Sequence, residues 1–234
     1  MSTSDLDTKR ERIVDAAGEL FAERGFDATT VRDICQAAEA NIAAVNYYFG
    51  DKQRLYVEAV VRAHRWRMER VKLPEWDAET TAEQKLADFI QTFIRRVRSG
   101  PGDTWHTRLI MREIGNPTAA CAELVQSSIR PQFEILLSIL RELLPHEANE
   151  ENLRLTAFSI VGQCLFYHFA DPVIRNLLNR EQYDALDIDK LANHITEFSL
   201  EAVSKIPLPD REGLGEGRRR NRPSPSPSPK GRGI

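Results

Sequence analysis

The side chains that could support covalent or metal chemistry are few and scattered along the chain. The cysteines are Cys35, Cys121 and Cys164. They form no Cys-x-x-Cys pair, which argues against a disulfide framework, a zinc finger or a thiol redox site. His194 with Glu197, or Asp103 with His106, could place two metal ligands on one helix face, but a solvated or hydrogen-bonded histidine is the commoner interpretation. Residues 1–206 contain no Gly-rich phosphate loop and no Gly-x-Ser-x-Gly elbow. We therefore expect no catalytic residue, no metal and no cofactor.

A second set of side chains is suited to contact nucleic acid. If Ile42, Val45 and Phe49 form the inner face of a helix, the residues between them point outward. Alanines permit close approach to a major groove, and Asn46 could pair with an adenine edge. Hydroxyl and charged groups at helix ends suit phosphate contacts. The candidate DNA-contacting residues are Thr30, Arg32, Asn41, Ala43, Ala44, Asn46, Tyr47, Tyr48 and Lys52. The alternative is an ordinary helical hairpin in which Tyr47 and Tyr48 are core aromatics.

Local signals place these residues on two short helices joined by a turn. Thr30 and Asp33 have the spacing of a capping box, and Asn41 can cap the next helix. Gly50 ends that helix, and Asp51 can cap a fourth one that runs to about residue 72. Residues 30–49 therefore form a predicted helix-turn-helix.

The rest of the folded chain also has helical periodicity, with no sustained strand alternation. The periodicity predicts an all-α fold. We expect the later helices at about 80–98, 104–116, 118–144 (with a bend near Pro131), 150–170, 172–180 and 188–205.

Residues 9–66 resemble the DNA-binding domain of the TetR/AcrR family of transcriptional regulators. The matching segments are Arg12-Ile13, Ala16-Ala17, Leu20-Phe21, Gly25-Phe26-Asp27-Ala28-Thr29-Thr30, Ile34, Tyr48-Phe49-Gly50-Asp51-Lys52 and Leu55. The family usually has Gly in the turn where this chain has Glu39. Either Glu39 adopts the left-handed conformation that favours Gly, or the turn differs. The family also often has Tyr where this chain has Asn46.

Residues from about 80 to 206 are similar to the CerR-type regulatory domain of one subgroup of that family. The matching segments are Arg112-Glu113, Asn116-Pro117-Thr118, Ile129-Arg130-Pro131 and Gly162-Gln163-Cys164 with Phe166. The resemblance implies an all-helical module for ligand binding and dimerisation.

That implied module has candidate residues for a small-molecule pocket. They combine apolar walls with a few polar groups, as such pockets usually do. The candidates are Trp105, Arg108, Met111, Arg112, Phe133, Gln163, Cys164, Tyr167 and His168. Because the regulatory half carries a net charge of −6, we expect an apolar or cationic organic effector.

Dimerisation is expected through the helices at 150–170 and 188–205. Two such helices from each subunit can form a four-helix interface. The residues expected at this interface are Leu153, Ala157, Ile160, Val161, Cys164, Leu191, Ile195, Phe198 and Ala202. The alternative is that the same residues cover the core of the monomer.

Composition indicates a globular protein, and the net charge gives no overall indication of nucleic-acid binding. The 234 residues carry 41% hydrophobic and 29% charged side chains, with a net charge of −3. Residues 207–234 are rich in Pro, Gly, Ser and Arg and carry +4, so we expect a disordered tail. No signal peptide or membrane-spanning segment is recognisable, which predicts a cytoplasmic protein.

The sequence thus predicts three regions. They are a DNA-binding domain over 7–67, a helical regulatory and dimerisation domain over 76–206, and the tail. The expected function is a homodimeric repressor that an effector releases from a palindromic operator. The alternatives are an all-α protein–protein adaptor with a purely structural helix-turn-helix, and a helical enzyme using His168 or His106.

Overall fold

The computed structural model describes residues 3–98, 104–144 and 149–205, and side chains from residue 7 onward. The elements within these ranges are all helical, as the periodicity predicts. They are α1 (Thr3–Arg24), α2 (Val31–Ala37), α3 (Ile42–Phe49), α4 (Lys52–Arg70), α5 (Ala82–Val97), α6 (Trp105–Gly115), α7 (Ala120–Leu124), a π-helical turn (Val125–Ile129), α8 (Arg130–Leu143), α9 (Glu150–Phe169), α10 (Asp171–Leu177), α11 (Arg180–Asp184) and α12 (Ile188–Ser204). None of these helices is both long enough and apolar enough to cross a membrane.

The N-terminal helices share a core with part of the regulatory half. Ile13, Ala17 and Phe21 of α1 are fully buried, in the spacing that predicts a one-sided helix. The same core includes Leu109 of α6 and Leu124 of α7. The predicted DNA-binding domain (residues 7–67), which we call the reading head, is therefore packed directly on α6 and α7.

The crossing of α1 and α6 depends on one small residue. A Cβ atom at Gly18 would lie 2.2 Å from the ring of Trp105, so only glycine lets this indole lie on α1. The next residue, His106, stacks between Trp105 and Trp66 of α4, with ring centroids 3.8 and 4.1 Å away. Three helices thus meet at one stack of rings.

A second core holds the regulatory helices α5, α8, α9 and α12 together. Its fully buried members include Leu86, Ile90, Leu136 and Ala157. Thr81 caps α5 by accepting a hydrogen bond from the Gln84 amide at 3.2 Å. The helices expected at 80–98, 104–116, 150–170 and 188–205 agree with the structure to within three residues at each end.

Two parts of the regulatory half differ from the expected helices. The helix predicted over 118–144 is confirmed as one uninterrupted helical run over 120–143, but a π-helical turn interrupts its α-helical hydrogen bonding just before Pro131. Proline has no N–H to donate to the carbonyl four residues earlier, and that carbonyl belongs to Ser127 in the π-helical turn. The helix predicted over 172–180 ends at Leu177, and α11 follows it behind a capping box of Asn179 and Gln182. The predicted tail lies outside the described residues.

Candidate nucleic-acid interface and cavities

The helix-turn-helix is built by the local caps that its sequence predicts. The Thr30 hydroxyl accepts a hydrogen bond from the Asp33 amide at 3.1 Å, while Asp33 accepts one from the Thr30 amide. The Thr30 hydroxyl also donates to Asp33 Oδ2 at 2.7 Å, and this hydrogen bond, followed by the one from the Thr30 amide, lowers the pKa of Asp33, so the cap is ionised at neutral pH. Asn41 caps α3 through the Ala44 amide at 2.8 Å. Each of the two short helices therefore has an N-terminal cap formed by its own local sequence.

The outward face of α3 largely matches the predicted one. The side chain of Tyr47 is 79% exposed, and Asn41, Ala43 and Asn46 are also exposed. Ala44 and Tyr48 are half-buried, and the two tyrosine rings meet edge to face at 5.2 Å. The alternative in which Tyr47 is a core aromatic is therefore wrong.

Ile42 does not belong to the inner face of α3. It was expected to be buried, but 53% of it is exposed, whereas Val45 and Phe49 are buried. Ile42 is the first residue of α3, where the helix has not yet come close to its neighbours. It therefore joins the exposed face as an apolar group that the sequence interpretation missed.

The turn before α3 has the left-handed conformation at Glu39. Its φ is +49°, which for a residue with a Cβ is unfavourable. Arg12 of α1 supports the turn by donating to the Ala38 carbonyl at 2.8 Å and to Glu39 Oε2 at 3.1 Å. Position 39 thus has Glu where the family usually has Gly, but its backbone keeps the left-handed conformation.

The Lys52 side chain makes structural contacts within the reading head. Its Nζ donates to the carbonyl oxygens of Phe26 and Thr29 at 2.9 and 3.1 Å, and it lies 4.2 Å from the centre of the Phe26 ring. These contacts tie the start of α4 to the loop before α2. The predicted contact of Lys52 with phosphate therefore competes with a structural role, whereas Arg32 is exposed on α2.

A cleft of about 770 Å³ lies between α1 and the regulatory helices. We call it the interdomain cleft. Five predicted pocket residues line it, namely Arg108, Met111, Arg112, Tyr167 and His168. Arg112 extends toward the C-terminal end of α1, where its Nη2 donates to the Arg24 carbonyl at 3.4 Å. A Cβ at Gly25, whose φ is +86°, would lie 2.6 Å from that guanidinium.

A second cavity, of about 190 Å³, lies directly beside α4. We call it the α4 cavity. Its walls are mostly apolar side chains, and its polar members sit together at α4, α5 and α8. The lining residues are His64, Arg67, Met68, Phe89, Phe93, Arg96, Val97, Ile110, Met111, Ile114, Ile129, Gln132, Phe133, Phe158, Val161 and Leu165. Of the predicted pocket residues, Met111 and Phe133 are among them.

Three predicted pocket residues line neither cavity. Trp105 packs on Gly18, and Cys164 is 1% exposed in the second core. Gln163 is half-buried and its amide turns back to the Ser159 carbonyl at 3.4 Å. These side chains lie on helices that border the cavities but point elsewhere.

The sequence interpretation missed the charged end of the α4 cavity. Arg67 follows Leu55, Ala59 and Ala63 at intervals of four, which places it on the buried face of α4. This spacing was the available signal. Burial lowers the pKa of Arg67 to about 10, with a contribution from nearby Arg96. The guanidinium nevertheless stays charged at neutral pH.

Two family models match the chain. "Bacterial regulatory proteins, tetR family" matches residues 13–59, and "HTH-type transcriptional dual regulator CecR, C-terminal domain" matches residues 82–203, about half of the chain. The domain type anticipated as CerR is thus named CecR. This chain belongs to the tetR family of bacterial regulators.

Similar proteins agree with this assignment. The CecR regulator of Shigella flexneri is 26% identical over 192 residues, covering 77% of this chain and 83% of that protein. The probable regulator YttP of Bacillus subtilis is 23% identical, covering 57% and 63%. A TetR-like regulator from Rhodococcus sp. RHA1 superposes with a TM-score of 0.59 at 20% identity, covering 85% of this chain and 97% of that one. This likeness shows a shared fold. The protein is thus a helix-turn-helix transcriptional regulator and not an enzyme.

The tetR-family regulator also exposes an apolar stripe along α9. Leu155, Phe158, Phe166 and Phe169 are each at least 50% exposed, and Phe198 of α12 is 59% exposed. Most residues expected at a dimer interface face the other way. They are buried in the regulator's own core, namely Leu153, Ala157, Ile160, Cys164, Leu191 and Ile195. Only Phe198 and Ala202 of the expected set are exposed, so the predicted face of α9 is wrong.

Proposed function

We propose that this regulator is a cytoplasmic homodimeric repressor that leaves a palindromic operator when a small-molecule effector binds. The exposed face of α3 is the observation that carries the proposal. An amide and an aromatic side chain project there from a helix whose alanines allow close approach to base edges. A structural hairpin would bury Tyr47, whereas this ring is 79% exposed. The adaptor hypothesis is therefore less well supported.

In this proposal Asn46 and Tyr47 read bases, and Ala43 and Ala44 permit the approach. Thr30, Arg32, Asn41 and Tyr48 lie near the ends of α2 and α3 and would contact phosphates, which set register rather than sequence. Lys52 would contribute through the one N–H that remains after its two carbonyl contacts.

The α4 cavity is the proposed effector site, because α4 itself forms one wall. This helix begins beside α3 and ends at the cavity, where His64, Arg67 and Met68 contribute to the lining. A ligand that shifts this end of α4 would change the separation of the two reading heads, which must match the spacing of the half-sites. It can act only by binding the two arrangements with different affinity. Operator DNA must then weaken effector binding by the same factor.

A gel-shift experiment with the DNA upstream of the chain's own gene tests the proposal. Asn46→Ala and Tyr47→Ala should each weaken binding to this DNA by about 1–3 kcal/mol and leave binding to random DNA nearly unchanged. Asn176→Ala, an exposed asparagine on α10, is the matched control and should bind both like the wild type.

Two results would contradict the proposal. One is that Asn46→Ala weakens binding to the upstream DNA and to random DNA equally, which would mean that Asn46 contacts the DNA backbone and not a base. The other is the absence of any preference of the wild type for the upstream DNA, which would favour the adaptor hypothesis.

A further inference from the structure

The α4 cavity contains a charge that its surroundings do not neutralise. The Arg67 side chain projects from α4, and only 5% of the residue is exposed. Among the described residues, no carboxylate oxygen lies within 4 Å of its guanidinium. Its hydrogen bonds go instead to one backbone carbonyl, since Nε and Nη2 reach the oxygen of Arg96 at 3.2 and 2.9 Å. Within the described residues, the buried guanidinium of Arg67 is thus stabilised by the dipole of one carbonyl group and by no ion pair.

A second arginine and a histidine lie beside Arg67 at this end of the cavity. Arg96 is 6% exposed, and it donates to the Val71 carbonyl at 2.8 Å and to the Gln132 side-chain oxygen at 2.9 Å. His64 is also buried there, and burial together with the two arginines lowers its pKa to about 4. Burying cations costs free energy unless an anion or several hydrogen bonds offset it. The guanidinium of Arg67, which is bonded to one neutral carbonyl, therefore favours a negative partner.

The remaining walls of the cavity are apolar and aromatic. Phe89 and Phe93 come from α5, Ile110 and Ile114 from α6, and other apolar groups from α8 and α9. Phe133 and Phe158 stack against each other with centroids 5.1 Å apart. A ligand that fills this space must have an apolar body next to its charged group.

We infer that the α4 cavity binds a small carboxylate with an apolar body, whose carboxylate pairs with the guanidinium of Arg67. The inference rests on the proposed function, because it names the effector class for that site. It replaces the expectation of an apolar or cationic effector, which followed from the net charge of the regulatory half. The local charge at the cavity is opposite to that average.

The same contact explains how a ligand would act on α4. A carboxylate that forms two parallel hydrogen bonds with a guanidinium is a stronger partner than a neutral carbonyl. The ligand would therefore compete with the Arg96 carbonyl for Arg67 and loosen the contact that joins the end of α4 to α5. Arg67 would thus contact the ligand directly. Because it lies on α4, the change would be transmitted to the helix that begins beside α3.

Three probes of equal chain length test the inference by calorimetry on the full-length protein without DNA. Octanoate, octanol and octylammonium differ only in the charge and hydrogen bonding of the headgroup. At pH 7.5 octanoate should bind about tenfold or more tightly than octanol. Octylammonium should bind more weakly than both, because its charge repels Arg67.

Variants then locate the headgroup. Arg67→Met should reduce octanoate affinity to that of octanol and leave octanol affinity unchanged. Arg65→Met is the matched control, because Arg65 is an exposed arginine two residues away on the same helix, and it should bind all three probes like the wild type. If Arg67→Met does not fold, the relative affinities of the three probes for the wild type still test whether the cavity prefers a carboxylate.

Equal binding of the three probes, preference for octylammonium, or no binding of any probe would overturn the inference. If the wild type then still binds its upstream DNA, the proposed function stands without it. If octanoate is preferred but no upstream DNA is bound, the proposed function fails and the ligand assignment of the cavity stands.

Discussion

At the scale of single residues, Glu39 bears a conformation that suits glycine. Its φ of +49° predicts an unusual order of stability between two substitutions that both remove the ion pair with Arg12. Glu39→Gly should be more stable than Glu39→Ala by about 1 kcal/mol, because a left-handed backbone is unfavourable for any residue with a Cβ. Urea unfolding measures the difference. Ala37→Gly in α2 is the control and should be destabilising by about 0.5–1 kcal/mol. If Glu39→Ala were at least as stable as Glu39→Gly, the backbone at position 39 would not be strained by a Cβ.

His106 predicts a loss of stability in acid. Burial lowers its pKa to about 4, with opposing contributions from Asp15 and Arg62. Its Nδ1 has no hydrogen-bond partner among the described residues. The unfolded chain takes up a proton near pH 6.5 and the folded one only near pH 4, so stability falls as pH falls between these values.

His106→Phe should therefore reduce the loss of unfolding free energy between pH 7 and pH 5 by about 1–2 kcal/mol. Urea unfolding at the two pH values provides the measurement. His194→Phe, which alters an exposed histidine of α12, should leave the pH dependence as it is. The same loss in wild type and His106→Phe would mean that His106 is not buried in its neutral form.

At the scale of helices, one buried carboxylate joins α4 to the regulatory half. Glu113 of α6 is fully buried, and its Oε2 accepts a hydrogen bond from the Tyr56 hydroxyl of α4 at 2.7 Å. Its Oε1 accepts one from the Thr118 amide at 2.8 Å. Burial raises the pKa of Tyr56, and the hydrogen bond to Glu113 raises it further, so the hydroxyl stays a donor at neutral pH.

Tyr56→Phe should lower the free energy of unfolding by about 1–3 kcal/mol, because it removes a donor from a buried carboxylate. Tyr183→Phe is the matched control: it removes a hydroxyl bonded to Asp171 at a half-exposed position and should have the smaller effect. Urea denaturation compares the two variants. Equal losses would show that the burial of Glu113 contributes nothing to the strength of this contact.

At the scale of the whole molecule, the exposed stripe on α9 is where the second copy in the proposed homodimer should dock. Apolar groups as exposed as Phe166, at 56%, are unfavourable in water when they form a continuous patch. Phe166→Glu should convert the proposed dimer to a monomer in sedimentation experiments and weaken operator binding, because a single reading head contacts only a half-site.

Ile42→Glu is the control for this prediction, because it places the same charge on an equally exposed apolar residue of α3. It should leave the dimer intact while it weakens DNA binding. A Phe166→Glu protein that remains dimeric would place the interface elsewhere.

The sequence by itself determined the helix-turn-helix, because its boundaries depend on interactions within a few residues. Thr30 with Asp33, Asn41 with Ala44 and the glycine at position 50 act through neighbouring backbone groups, so their spacing is sufficient. The outward direction of α3 followed from the same periodicity, except at Ile42, where the first residue of the helix has too few neighbours to be covered.

Only the tertiary structure decided which apolar face of α9 is covered. This helix has apolar residues on more than one side, so periodicity could not distinguish Ala157, which is buried, from Phe158, which is exposed. The direction of Cys164 and the carbonyl contacts of Lys52 likewise depend on helices distant in sequence. The charge beside the α4 cavity is the same case, because the burial of Arg67 requires α4 and α5 to meet. Local interactions are encoded by spacing, whereas the choice among equivalent faces is made by packing.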